Sequence, residues 1–175
     1  MRRAYSVAAV GVLAALFCAA AFITIPFPFM PLTLQCFAVA LGAYVFGAKS
    51  AVSAVIIYGA AGAVGLPVFA GAQGGAQVLF GPTGGFVWGF LALALCCGVA
   101  KGKSKKYAFI LGLLGLTFCY ASGTAQYAAV TGLSFGASFF AVGALYILKD
   151  AVLVLLAQAL SVSIISALNK AKKCR

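Results

Sequence analysis

The sequence predicts an all-α membrane protein: six transmembrane helices in a compact bundle, with a glycine-rich loop between helices 3 and 4 lining an outward-facing pocket. Three observations carry this. The 175 residues are 65% hydrophobic and 7% charged, with a mean hydropathy of +1.17. A soluble domain has no use for such a composition, because its surface must be wetted. Apolar runs near the length of a membrane helix, roughly 20 residues, recur along the chain. The cations sit between those runs. Residues 1–175 therefore read as a single integral membrane domain, with spans near 7–25, 34–47, 51–66, 84–100, 107–125 and 150–168.

The first span follows Arg2 and Arg3 and closes at Pro26. Basic residues, an apolar core and small alanines also describe a signal peptide, but the run is of spanning length and further spans follow. Within it Gly11, Ala15 and Ala19 recur every four residues. Such spacing aligns small residues on one helix face and permits close packing in lipid. The spacing leaves open whether that face meets the chain's own helices or a partner.

Pro26–Thr33, PFPFMPLT, cannot continue a helix. The second run is short, Lys49 follows it, and the third run leads into Leu66–Gly85, LPVFAGAQGGAQVLFGPTGG. That stretch is uncharged and too rich in glycine and proline for a good helix. It reads as a shaped loop, packed through Val68, Phe69, Val78, Leu79 and Phe80. The fourth run ends in KGKSKK, Lys101–Lys106, and the fifth follows directly. Gln126–Leu148 is softer, with Gly and Ser among aromatics, and reads as a partly helical, re-entrant or interfacial segment. The last run begins at Asp150 and leads into NKAKKCR.

With six alternating spans, eleven cations fall on one side and Lys149 alone on the other. Excess Lys and Arg mark cytoplasmic loops, so both termini are expected in the cytoplasm. The same distribution argues against nucleic-acid binding, which needs a basic face on a water-exposed fold. The three far-side connections are the segments of unusual composition. Non-helical backbone at membrane depth is tolerated only where protein buries it or it lines a cavity, so together they suggest a pocket opening outward.

Chemistry is sparse. There is no histidine and one acid, so no catalytic pair or metal cage is expected, and the six cysteines read as small hydrophobes. GVAKGKS (Gly98–Ser104) fails the phosphate-loop spacing and follows a span rather than a strand. The chain is expected to be neither an enzyme nor able to energise transport with ATP by itself. Asp150, at the head of the last span, either caps that helix or accepts hydrogen bonds from a ligand. Lys149 either neutralises a ligand carboxylate or pairs with Asp150. Thr33, Gln35, Gln73, Gln77 and Thr83 suit a neutral polar ligand head, with Phe69, Phe80 and Tyr146 packing its apolar part.

PLTLQ (Pro31–Gln35), GLPVFAG (Gly65–Gly71) and GPTGGF (Gly81–Phe86), in that order and spacing, resemble the BioY family, the biotin-binding S components of energy-coupling factor transporters. The resemblance covers most of the chain. It implies six helices, biotin bound on the outer side, and as partners a transmembrane coupling protein and a pair of cytoplasmic ATPases. It implies no cofactor; biotin is the transported ligand. In the family the small-residue face of the first helix contacts the coupling protein, which assigns that role to Gly11, Ala15 and Ala19. The resemblance implies an acid and a lysine near the biotin head, and with the residues singled out above the expected biotin site is Thr33, Gln35, Phe69, Gln73, Tyr146, Lys149 and Asp150. The family's P-G-D-x-x-K pattern is altered: Leu148 and Lys149 replace Pro-Gly, and Leu153 stands where lysine would be. The rival expectations are an S component for another vitamin and a ligand-free polytopic scaffold.

Overall fold

A computed structural model describes residues 2–26 and 31–173. Phe27–Met30 of the proline loop, Cys174 and Arg175 lie outside the described residues, as do the side chains of Arg2, Arg3, Lys172 and Lys173. The chain is mostly helical: α1 (Arg2–Phe22), α2 (Gln35–Phe46), α3 (Ala48–Ala63), α4 (Ala76–Phe80), α5 (Gly84–Val99), α6 (Lys105–Thr131), α7 (Phe135–Val142) and α8 (Ala144–Lys173). Two short strands, β1 (Thr24–Ile25) and β2 (Leu32–Thr33), pair antiparallel between α1 and α2, with Thr24 opposite Thr33.

Two helical segments, Lys105–Thr131 and Tyr146–Lys170, are long and apolar enough to cross a membrane. Ser6–Phe22, Gln35–Phe46, Ala48–Ala63 and Gly84–Val99 are apolar but shorter. At 1.5 Å per residue a 12-residue helix such as α2 is about 18 Å long, well short of a hydrocarbon core of about 30 Å. Only Gly47 separates α2 from α3, and its φ of +89° is one that a side chain disfavours.

The later elements differ most from expectation. The softer stretch after residue 125 is helical in pieces: α6 runs on to Thr131 and stops where Gly132 adopts φ +74°, a left-handed helix end. Ser134 then caps α7 by accepting from the Ala137 amide. Helix α8 starts at Ala144, so Asp150 lies in its second turn rather than at its head. The amides there already have helical partners, so the capping role falls away. The glycine-rich loop likewise holds a turn of 3₁₀ helix (Ala70–Ala72) and the short α4. Lys49 belongs to the first turn of α3.

Helices α5 and α6 pack most closely because glycines line their contact. A Cβ on Gly89 would stand 2.6 Å from the Cys119 Cα and 2.7 Å from the Ser122 hydroxyl. One on Gly115 would stand 2.9 Å from the Cys96 Cβ. Small residues let the two backbones approach where no hydrophobic effect drives helices together in lipid. Gly11, Ala15 and Ala19 instead lie on the exposed face of α1, and a Cβ on Gly11 would meet nothing within 4 Å. Among the described residues, that face is turned away from the chain's own helices.

Polar contacts show which helix ends meet. Tyr44, late in α2, donates to the Ala108 carbonyl early in α6 (2.9 Å). Gln158 of α8 donates to the Lys105 carbonyl (2.6 Å). The end of α5 abuts the start of α3, Gly98 against Ala48. One end of the bundle therefore gathers Lys49, Lys101, Lys103, Lys105 and Lys106, with Lys170 further along α8. Among the described side chains, Lys149 is the one cation at the other end.

Overpacking a tight helix contact costs about 1–3 kcal/mol. Gly89→Val should lower the thermal unfolding midpoint of the detergent-purified chain by several degrees. Gly11→Val, on the open face, should leave it within error of the parent.

Candidate functional site

At the end of the bundle away from the lysine cluster, a cavity of about 350 Å3 opens between β2, the starts of α2 and α5, α6, the early turns of α8 and the α3–α5 loop. That volume falls within the roughly 300–1,000 Å3 common to small-ligand sites. Each wall has a local reason.

Thr33, on β2, donates its hydroxyl to Gln35 Oε1 (3.1 Å), and Gln35 Nε2 donates to the Tyr58 hydroxyl of α3. Gln35 is thereby fixed and buried at the first position of α2. Tyr58 meets Phe69 edge-on, with centroids 5.4 Å apart and planes at 84°. Phe69 can lie there because Gly62 has no side chain: any Cβ at 62 would fall inside the Phe69 ring. The loop is pinned from below, with Gly75 N–H donating to the Gly62 carbonyl (2.7 Å) and Phe69 N–H to the Gln73 carbonyl (2.9 Å).

Across the cavity the loop's far half hangs from α6. Gln126 Nε2 donates to the carbonyls of Leu79 and Gly81, each at 2.8 Å. Trp88 Nε1 adds a third bond, to Leu79 (3.3 Å). Pro82 and Thr83 are thus held at the cavity rim, from which α5 departs and brings Phe86 and Phe90 to the wall. Phe86 lies edge-on to Tyr120, with centroids 5.4 Å apart.

The charged corner belongs to α8. Asp150 is 3% exposed. Its Oδ2 accepts from the Tyr120 hydroxyl at 2.7 Å, and its Oδ1 stands 2.8 Å from Lys149 Nζ. Beyond that ion pair, Oδ1 accepts no hydrogen bond among the described residues. Lys149 also donates to the Thr33 carbonyl (2.9 Å), joining α8 to the β-hairpin. A buried carboxylate is tolerable when paired and hydrogen-bonded in this way.

Of the residues singled out from the sequence, Thr33, Gln35, Phe69, Gln73, Thr83, Lys149 and Asp150 line this cavity. Gln73 is solvent-exposed and shares its rim position with a shallow outer hollow along Val78, Pro82 and Thr83. Tyr146 does not reach the wall. It is buried one helical turn before Asp150, about 6 Å nearer the start of α8. Phe80 is 73% exposed, since the short α4 turns it away, and Gln77 bonds back to the Gly74 carbonyl (2.8 Å). Sequence reasoning missed Tyr58, Tyr120, Phe86, Phe90 and the anchoring Gln126. A tyrosine hydroxyl inside an apolar run must find a partner, and that requirement was the available signal for Tyr58 and Tyr120.

The chain resembles known proteins over most of its length. It is 47% identical over 115 residues to the biotin transporter BioY of Thermotoga maritima, covering 65% of this chain and 68% of that one. It is 37% identical over 123 residues to the biotin transporter BioY2 of Lactococcus lactis, covering 69% and 68%. Its fold matches the crystal structure of the S-component for biotin from an ECF-type ABC transporter, with a TM-score of 0.83, 21% identity and coverage of 91% and 90%. The BioY family model matches residues 1–170, and on that extent of agreement the chain belongs to the BioY family.

Proposed function

We propose that the chain is a substrate-binding membrane subunit for biotin uptake that delivers biotin to an ATP-driven energy-coupling module. Its relatives' names supply the ligand class. The observation that carries the reading is the chain's single acid, buried at the wall of a mostly apolar cavity, with an oxygen that accepts no hydrogen bond beyond its ion pair among the described residues. Biotin's ureido ring offers two N–H donors and a carbonyl, its thioether ring and chain are apolar, and its end is a carboxylate.

In this reading Asp150 accepts ureido hydrogens, with Tyr120 fixing its orientation. Gln35, Thr33 and Gln73 complete the polar set, and Phe69, Phe86 and Phe90 pack on the rings and chain. Lys149 supplies the cation that Leu153 does not. Tyr146 supports α8 from the core rather than touching ligand.

The six apolar helices α1, α2, α3, α5, α6 and α8 are read as the membrane domain, with the short ones packed where irregular backbone lines the cavity. Excess lysine at one bundle end supports reading that end, and both termini, as cytoplasmic in a multi-pass plasma-membrane protein, with the cavity facing outward. The exposed face of Gly11, Ala15 and Ala19 is read as the contact for a membrane coupling protein, whose ATPase pair supplies the energy.

Purified chain should bind biotin, and biotin should raise its unfolding temperature, because a ligand selective for the folded state stabilises it. Asp150→Asn should weaken binding by about 10–100-fold, the equivalent of about 1.5–3 kcal/mol for a hydrogen bond to a charged group. Gln73→Ala should weaken it less, its side chain being at the wet rim. Calorimetric titration checks both; unchanged affinity in both variants would remove the site assignment, and no binding by the parent would remove the function. Membrane vesicles holding the chain alone should bind biotin without ATP-driven accumulation. Gly11→Val should preserve that binding while reducing uptake in cells that contain the coupling module.

A further inference from the structure

At the opposite end of the bundle a second groove, of about 560 Å3, runs between the start of α6 and the middle of α8. Its mouth carries Lys105 and Lys106, both exposed. Its walls are Phe109 from α6 and Leu155 and Val162 from α8. Between lysines and walls sits Gln158, 9% exposed and fixed by its bond to the Lys105 carbonyl. None of these residues takes part in the biotin cavity.

No acidic side chain faces these lysines among the described residues. The chain has one acidic side chain, Asp150, and Lys149 already holds it at the other end of the bundle. Charge facing Lys105 and Lys106 must therefore be met from outside the sequence's acidic side chains. The groove adds a second requirement, because an apolar trough directly beneath two ammonium groups fits a molecule with an anionic head and a hydrocarbon tail. Lysine pairs between membrane helices bind anionic lipid head groups on this principle.

We infer that this groove is a binding site for an anionic phospholipid, with the phosphate at Lys105 and Lys106 and one acyl chain along Phe109 and Leu155. Gln158 offers hydrogen-bonding capacity at the level of the glycerol backbone. The site requires that the bundle sit in a bilayer, and it does not depend on biotin.

The test uses the full chain in non-ionic detergent, titrated in parallel with phosphatidylglycerol and phosphatidylcholine and read by native mass spectrometry and thermal unfolding. Phosphatidylglycerol should bind and raise the unfolding temperature more than phosphatidylcholine. At about 1 kcal/mol per lysine near a membrane surface, the Lys105→Gln/Lys106→Gln variant should bind it roughly 30-fold more weakly. Lys49→Gln/Lys103→Gln removes equal charge from the same end and should change binding little. Leu155→Trp, which fills the trough and keeps both lysines, should also weaken binding.

Equal response to the two lipids, or equal loss in the two lysine variants, would overturn the site in favour of diffuse surface charge. Unchanged lipid binding in Lys105→Gln/Lys106→Gln, with lost co-purification of an ATP-driven module, would overturn it in favour of a protein partner.

Discussion

Three segments distant in sequence converge on one carboxylate. Tyr120 of α6 donates to Asp150, Lys149 pairs with it, and the same ammonium reaches the Thr33 carbonyl on the hairpin between α1 and α2. A lone acid buried in so apolar a chain is tolerable only with these partners. The arrangement therefore constrains the packing of α8, α6 and the hairpin together, and it fixes where the cavity's polarity lies. The other walls are arranged around it: amide and hydroxyl groups from α2 and α3 with the Phe69 ring against Tyr58 on one side, and the phenyl rings of α5 on the other.

Glycine sets the shape into which that corner fits. Gly62 makes room for Phe69, and Gly89 and Gly115 let α5 and α6 approach closely enough for Phe86 to reach Tyr120. Cavity and closest helix contact thus rest on the same device, a missing side chain. It creates space at one position and removes it at another. The surface glycine Gly11 belongs to a different class, because among the described residues a Cβ there would meet nothing within 4 Å.

Much of this was legible in the residues. The start of α5 could be read from GPTGG and its end from KGKSKK, and the observed helix, Gly84–Val99, ends one residue short of the expected run. The asymmetry of lysines was visible as soon as the runs were counted. The length of α6 and the early start of α8 were not, because Gly and Ser scattered among aromatics looked like a broken segment. In fact only Gly132 among them takes a left-handed turn and Ser134 is extended as the cap of α7, while Gly136, Ser138 and Gly143 accept helical angles. Starting the last helix too late placed Asp150 at a helix end. Tyr58 and Tyr120 went unread because tyrosine in an apolar run counts as bulk until its hydroxyl needs a partner. Gln126 was hidden for a related reason: its targets are main-chain carbonyls, and nothing in a sequence pattern announces those.

The two covers of the cavity are fastened by different chemistry. The glycine-rich loop hangs from Gln126 and Trp88 by neutral amide and indole bonds, each of which contributes about 0.5–1.5 kcal/mol net. The hairpin is fastened through an ammonium that also serves the buried acid. Lifting the loop breaks dipolar bonds and separates no ions, whereas lifting the hairpin disturbs an ion pair where the dielectric is low. The two sides of the mouth are therefore held unlike each other: parting the loop from α5 and α6 costs dipolar bonds, whereas parting β2 from α8 strips a partner from an ammonium.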